Sequence, residues 1–309
     1  MRVSIASLYQ LAPLLLYSTK LSSAYLVHDS CHGKNFKRGV LVEAIESAFT
    51  WAGAADSDWD TSQDIVNLKS WLFGQSSDAE KAKSFFDNLI TADALETLDQ
   101  SKAAQEKIVF FCDPNVLKVE DDPNNPKNPS GKISRNAVAN IDTFGDGIKD
   151  CEPTSGVSGI KAYTAREPKS NPQADIRTLR SYIMICPWYL QKMGVAPVPT
   201  AKGFSNLLKS SVRKIDIALD KIMPDGDKTG MDLIALLDHT ILHELTHTNL
   251  AGNAEDLDGL NSYGWKNVRK LSARTDAYRN AESLAFFGLA VNRTQEGWQI
   301  SENGNVKQP

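Results

Sequence analysis

The chain has 309 residues, 41% of them hydrophobic and 23% charged, with a formal net charge of −4. That length allows one large domain or two small ones, and the composition allows a sizeable core and argues against wholesale disorder. A mildly acidic chain has no basic stripe for a phosphate backbone, so no nucleic-acid partner is expected.

Residues 1–24 read as a secretory signal peptide. Arg2 is followed by an apolar stretch from Val3 to Tyr17 and then by Leu21-Ser22-Ser23-Ala24, with cleavage expected after Ala24. A membrane anchor is disfavoured because the stretch is short and is interrupted by Gln10 and Pro13. Cleavage removes Arg2 and Lys20 with no acidic residue and moves the net charge from −4 to −6. The expected product is a secreted, extracellular protein with no membrane association, residues 25–309 forming one domain. Its four cysteines, Cys31, Cys112, Cys151 and Cys186, suggest two disulfides in an oxidising compartment, with three pairings open. They show no C-x-x-C spacing and do not read as a metal site.

Helical spacing predicts a helix over 38–52, with Val40, Ala44, Ile45, Ala48 and Phe49 on one side, and a second over 78–98. The apolar run 108–112, stopped by Asp113-Pro114, predicts a strand. Residues 113–159 are rich in Pro, Gly, Asn and Asp and read as a long surface excursion. Within it Asp142, Asp146 and Asp150 flank Gly145 and Gly147. Their spacing does not match an EF-hand, so a solvated turn is preferred to a calcium loop. Strands are predicted at 160–165 and 182–186, a connector at 193–202, helices at 205–222 and 231–249 around a turn at 224–227, and a final helix at 275–291. That order suggests α+β in one domain.

The chemistry concentrates in His243-Glu244-Leu245-Thr246-His247. Residues four apart lie one helical turn apart on nearly one face, so His243 and His247 can aim ring nitrogens at one point. Zn²⁺ suits imidazole ligands in a tetrahedral site with one open position. Glu244, beside the first histidine, can reach a water on the metal and take its proton as general base, which is the H-E-x-x-H mechanism. His239 lies one turn earlier and would stretch a compact tetrahedron, so a supporting or surface role is expected. His28 and His32, flanking Cys31, are expected in a loop.

A third protein ligand is expected downstream, in the stretch 252–265, where Asp256 or Asp258 can return to the metal. Here the chain resembles the aspzincin metallopeptidases, the deuterolysin and fungal lysine-specific endopeptidase group. In that family H-E-x-x-H is followed by Gly-Thr-x-Asp-x-x-Tyr-Gly, whose Asp is the third zinc ligand and whose Tyr stabilises the oxyanion, and then by a helical Asn-Ala-Asp segment. The resemblance makes His243 and His247 ligands of one zinc ion per chain, Glu244 the general base and Tyr263, followed by Gly264, the catalytic tyrosine. It matches Asn280-Ala281-Glu282-Ser283 to the Asn-Ala-Asp segment, with Glu for Asp.

The chain departs from the family at the aspartate, because Leu260 stands three residues before Tyr263. Asp258 is preferred as third ligand because it lies nearer the tyrosine, with Gly259 to turn the chain. Asp256 and Glu282 remain alternatives, and Glu282 otherwise orients a ligand or lines the cleft.

The resemblance extends, more weakly, to Cys31 and the helix after it, to Trp71-Leu72-Phe73-Gly74, and to the cysteines at 112 and 186. It implies the pairs Cys31–Cys112 and Cys151–Cys186, a zincin-like fold with a small antiparallel or mixed sheet, an active-site helix and flanking helices, and a cleft-edge strand at Ala162-Tyr163-Thr164. The family's lysine-binding acidic residue, one turn past the Asn-Ala-Asp segment, is Ala285 here, so no cleavage preference is assigned. The single usable glycosylation sequon is Asn292-Arg293-Thr294. The expected function is a secreted, monomeric zinc endopeptidase acting on proteins or peptides. The competing expectations are a catalytically silent relative that binds another protein and a zinc hydrolase with a non-peptide substrate.

Overall fold

The computed structural model describes residues 25–32, 37–74, 77–91, 96–122, 125, 130–152, 160–195 and 228–309. The expected signal peptide, the expected helix at 205–222, the turn at 224–227 and most of the 193–202 connector lie outside the described residues.

Among the described residues eight strands precede the motif: β1 Tyr25–Val27, β2 Glu96–Thr97, β3 Ile108–Phe111, β4 Leu117–Asp121, β5 Lys132–Asn136, β6 Ile141–Phe144, β7 Ala162–Arg166 and β8 Ser181–Ile185. The main sheet has the order β2-β1-β3-β8-β7. Its first four strands run parallel, and β7 pairs antiparallel to β8 at the edge. β1, β3 and β8 are buried along their whole length, and all but Ser181 carry apolar or aromatic side chains, because both faces of the sheet are covered. Alternate side chains divide between two cores. Tyr25, Val27, Ile108, Phe110, Ile183 and Ile185 meet the helices. Leu26, Val109, Phe111, Tyr182 and Met184 meet Leu117 and Ile141 of the second sheet, β4-β5-β6, and Ala139 in its β5–β6 turn.

Nine helices are described: α1 Arg38–Ser57, α2 Gln63–Phe73, α3 Lys83–Ile90, α4 Gly147–Asp150, α5 Pro187–Val195, α6 Gly230–Ile234, α7 Leu237–His247, α8 Trp265–Leu271 and α9 Ala281–Gln295. α1, α3, α7 and α9 pack together over the main sheet around Trp51, Phe86, Leu242 and Phe287. The chain is therefore mixed α+β, as its element order suggested. None of the helices described is long and apolar enough to cross a membrane. The two disulfides are Cys31–Cys112 and Cys151–Cys186, with Cα separations of 4.7 and 5.0 Å. They close loops of 81 and 35 residues, each worth about 4 kcal/mol in the chain-entropy account.

Several expectations need correction. The expected helix at 78–98 is a 3₁₀ turn followed by α3, ending at Ile90, after which β2 pairs with β1 while Glu96 meets Arg38. Pairing with the sheet overrides a helix-favouring composition. The expected excursion at 113–159 contains β4, β5 and β6, whose exposed Lys, Arg and Asp side chains mask a strand pattern. The acidic trio is not one solvated turn: Asp142 lies in β6 and pairs with Arg135 across the ladder, Asp146 caps α4 by accepting the Lys149 N–H, and Asp150 ends that helix. α2 was not expected, although Ser62 caps its start and Gly74, at φ +77°, ends it. The helix expected at 231–249 is broken at Ala235 and Leu236 into α6 and α7. The last helix starts later than expected, at Ala281, after a 3₁₀ turn at Ala277–Arg279.

Candidate metal centre

α7 carries the motif through the centre of the molecule, and ten of its eleven residues are buried. It lies close to α9 because position 288 is glycine. A Cβ there would stand 2.6 Å from Leu242 Cδ2. The close approach brings Glu282, in the first turn of α9, to the motif. Glu282 Oε2 accepts from His243 Nδ1 at 2.9 Å, and Oε1 accepts the Gly264 N–H at 3.2 Å. His247 Nδ1 donates to the Ala254 carbonyl at 2.8 Å. Both Nδ1 atoms thus face acceptors, which fixes them as the protonated nitrogens and leaves both Nε2 atoms as donors to a shared point. The two Nε2 atoms stand 3.1 Å apart.

The third member of the group is Asp256. Its Oδ1 lies 3.5 Å from His243 Nε2 and 3.6 Å from His247 Nε2, and these three side chains could hold a metal ion. Oδ1 is buried and has no hydrogen-bond partner of its own, while Oδ2 accepts from the Tyr263 hydroxyl at 3.0 Å. A buried carboxylate oxygen aimed at two imidazole nitrogens with nothing to bond fits a cation between them. His247 and Asp256 retain 15% and 29% of their side-chain exposure, so the group opens to solvent.

The loop after α7 places Asp256. Gly252, at φ +116°, and Asn253, at φ +61°, reverse the chain, a backbone course that favours Gly and Asn. The Ala254 N–H then bonds the Thr246 carbonyl, and Glu255 bridges to the backbone on both sides of Asn280. The Asn280 side chain accepts from the Leu257 N–H. The preferred ligand Asp258 is corrected here: it is exposed, precedes the 3₁₀ turn Gly259–Ser262 and stands outside the metal group. Glu282 acts on His243 rather than as a ligand. The usable signal was the distance forward from His247, because the helix end anchors the ligand. Counting back from Tyr263 misleads because the residues between it and Asp256 bulge into that turn.

The electrostatics suit a cation. Burial opposes charge on His243, but the Glu282 hydrogen bond and the nearby carboxylates raise its pKa to about 9. Burial likewise opposes charge on Asp256 and Glu282, and the histidines outweigh it, lowering both to about 2. At pH 7 the metal-free group therefore holds a proton on His243 that a metal must displace. About one proton should be released per metal bound at pH 7, with apparent affinity falling roughly tenfold per pH unit below 9. Calorimetry in buffers of different ionisation enthalpy measures the proton count. The metal-free fold should draw stability from His243 that is complete below pH 6.5 and disappears as pH rises through about 9. Glu282→Gln should weaken metal binding about 10- to 100-fold, read by competition with a chromophoric chelator. Unchanged affinity would show that Glu282 does not prepare His243.

Glu244 is held from the sheet. The Thr164 hydroxyl of β7 lies 2.7 Å from Glu244 Oε2 and 2.9 Å from the Glu244 carbonyl. The strand picked out at Ala162-Tyr163-Thr164 is the sheet edge and grips the glutamate directly, a contact the sequence did not reveal. The Tyr263 ring stacks on His243 at 5.3 Å and is 40% exposed. Burial of the hydroxyl and the charge of Asp256 hold its pKa far above the ordinary phenol value, so it stays protonated. His239 is buried against Phe286 outside the metal group. His28 accepts from the Ser30 N–H and His32 faces Asp29, as loop residues. Ala285 is fully buried. Comparison with known family models, curated proteins and solved structures gives no match.

Proposed function

We propose that the chain is a secreted, zincin-like zinc endopeptidase related to the aspzincins. The observation that carries this reading is a single helix presenting two Nε2 atoms 3.1 Å apart, with a third donor 3.5 and 3.6 Å away and Glu244 held beside them. Donors of a tetrahedral zinc site, each about 2.0–2.1 Å from the ion, stand roughly 3.3–3.4 Å apart. Two imidazoles and one carboxylate are a ligand set used by catalytic zinc, leaving one position open.

His243, His247 and Asp256 would hold the zinc, which would supply a Lewis acid for a carbonyl and lower the pKa of water to about 7. Glu244 accepts the attacking water's proton and returns it to the departing amine. The Tyr263 hydroxyl, which stays protonated, shifts its hydrogen bond from Asp256 Oδ2 to the oxygen of the tetrahedral intermediate. β7 lies at the sheet edge, and its side left unpaired among the described residues can receive an extended peptide through main-chain hydrogen bonds. The disulfides and an apolar leader support secretion.

Purified protein should contain one zinc per chain and cleave casein. A chelator should abolish cleavage and added zinc should restore it. Cleavage that survives complete metal removal sinks the proposal. Tyr263→Phe should keep its zinc and lose about 10²-fold or more in kcat. A loss confined to KM would place Tyr263 in binding alone. The silent-binder reading rested on a site with only two histidines, and Asp256 beside both rings favours the peptidase reading over it.

A further inference from the structure

Lys161 immediately precedes β7, and its carbonyl accepts the Cys186 N–H at 2.9 Å, which ties it to the end of β8. Its ammonium lies 5.7 Å from the centre of the Tyr189 ring. Tyr189 is buried, and its hydroxyl bonds Thr240, three residues before His243 on α7. The ammonium therefore sits beside the first turns of the motif helix. Among the described residues it makes no hydrogen bond and no ion pair, and burial pushes its pKa down.

The carboxylates whose charges reach it are already engaged. Glu282 accepts from His243 and Gly264, and Asp232 accepts from Thr229 and from the Trp265 N–H. A second nitrogen in this neighbourhood is also unspent: His239 Nε2 is buried without a partner, and the charges of Glu282 and Lys161 both act on it. At the other end of β7, Arg166 is exposed and has no ion pair among the described residues. A chain of net charge −4 thus brackets its edge strand with two cations that form no ion pair among the described residues.

A desolvated cation without a counter-ion is costly, and an incoming carboxylate relieves that cost. We infer that Lys161 is a specificity-determining residue that receives a substrate carboxylate beside the metal group, with His239 Nε2 as a second contact. This rests on the peptidase reading. The carboxylate belongs either to a Glu or Asp side chain near the cleaved bond or to the peptide's own C-terminus. A hydrogen-bonded charge pair of this kind discriminates against a neutral isostere by about 10- to 100-fold.

The test uses matched peptides with Glu, Gln or Lys beside the scissile bond, each with a free or an amidated C-terminus. Two readouts are taken: kcat/KM with zinc-loaded protein, and fluorescence anisotropy with Glu244→Gln protein, which binds without turnover. Glu should be preferred to Gln by about 10- to 100-fold in both. Lys161→Met should bring that ratio to about one, Lys161→Arg should keep it, and Lys161→Glu should turn it toward Lys. A preference that follows the free C-terminus instead identifies the terminal carboxylate, still dependent on Lys161. The melting temperature of Lys161→Met should be equal to or above that of the parent, whereas a structural lysine would lower it and leave the ratio unchanged. No carboxylate preference, or one that survives Lys161→Met, overturns the inference. A binding ratio that responds to Lys161 in a protein that cleaves nothing would defeat the peptidase reading and leave the lysine's role standing. Neither cleavage nor selective binding would defeat both.

Discussion

Glu244→Gln protein should purify with its full zinc content and lose hydrolysis toward the upper end of about 10²–10⁴-fold. The substitution keeps the shape and one hydrogen-bond acceptor, so Thr164 can still hold the side chain, but an amide cannot take up a proton. The loss should fall on kcat more than on KM, because the amide still fits the ground state while the proton transfer belongs to the transition state. Zinc content distinguishes this from loss of the site, since Glu244 lies outside the group of His243, His247 and Asp256. A variant that retains zinc and cleaves at the parental rate would remove Glu244 from the chemistry and with it the assigned mechanism.

The legible parts of the molecule were those in which local pattern and tertiary demand coincide. The runs at β3 and β8 read as strands because both faces are buried, so nearly every position, Ser181 excepted, is apolar or aromatic. α7 was legible because the i, i+4 histidines sit in an apolar helix. β4 to β6 were not legible. Their exposed face carries Lys118, Glu120 and Arg135, and the few buried residues, such as Leu117 and Ile141, are too sparse to show a period of two. β2 was hidden for a different reason: two residues pair with β1 only because the chain returns there. A contact made by tertiary return leaves no local signal.

The site shows the same division. His243, Glu244 and His247 share one helix, so sequence spacing alone brings them together. The acceptors that set the histidine tautomers come from elsewhere: the Ala254 carbonyl from a reversed loop and Glu282 from a helix 39 residues away. The Thr164 contact with Glu244 spans 80 residues. The disulfide pairs were implied by the family resemblance, whereas the residues alone left three pairings open.

The ligand assignment gives the last large effect. Asp256→Ala should lose stoichiometric zinc on dialysis, with affinity falling by more than the roughly 10- to 100-fold expected for a residue that only supports a ligand. Asp258→Ala should keep zinc and activity near the parental level, since that side chain is exposed and stands outside the metal group. The contrast is informative because the two residues share one loop, so a general disturbance of that loop would affect both variants alike. Asp256→Asn sharpens it further. The amide preserves the volume and can still accept from Tyr263, but it removes the negative charge that balances the metal. If Asp258→Ala released the metal while Asp256→Ala retained it, the pinned turn from Gly252 to Asp256 would not be the element that completes the site. The link drawn between the helix end and the third donor would then be wrong.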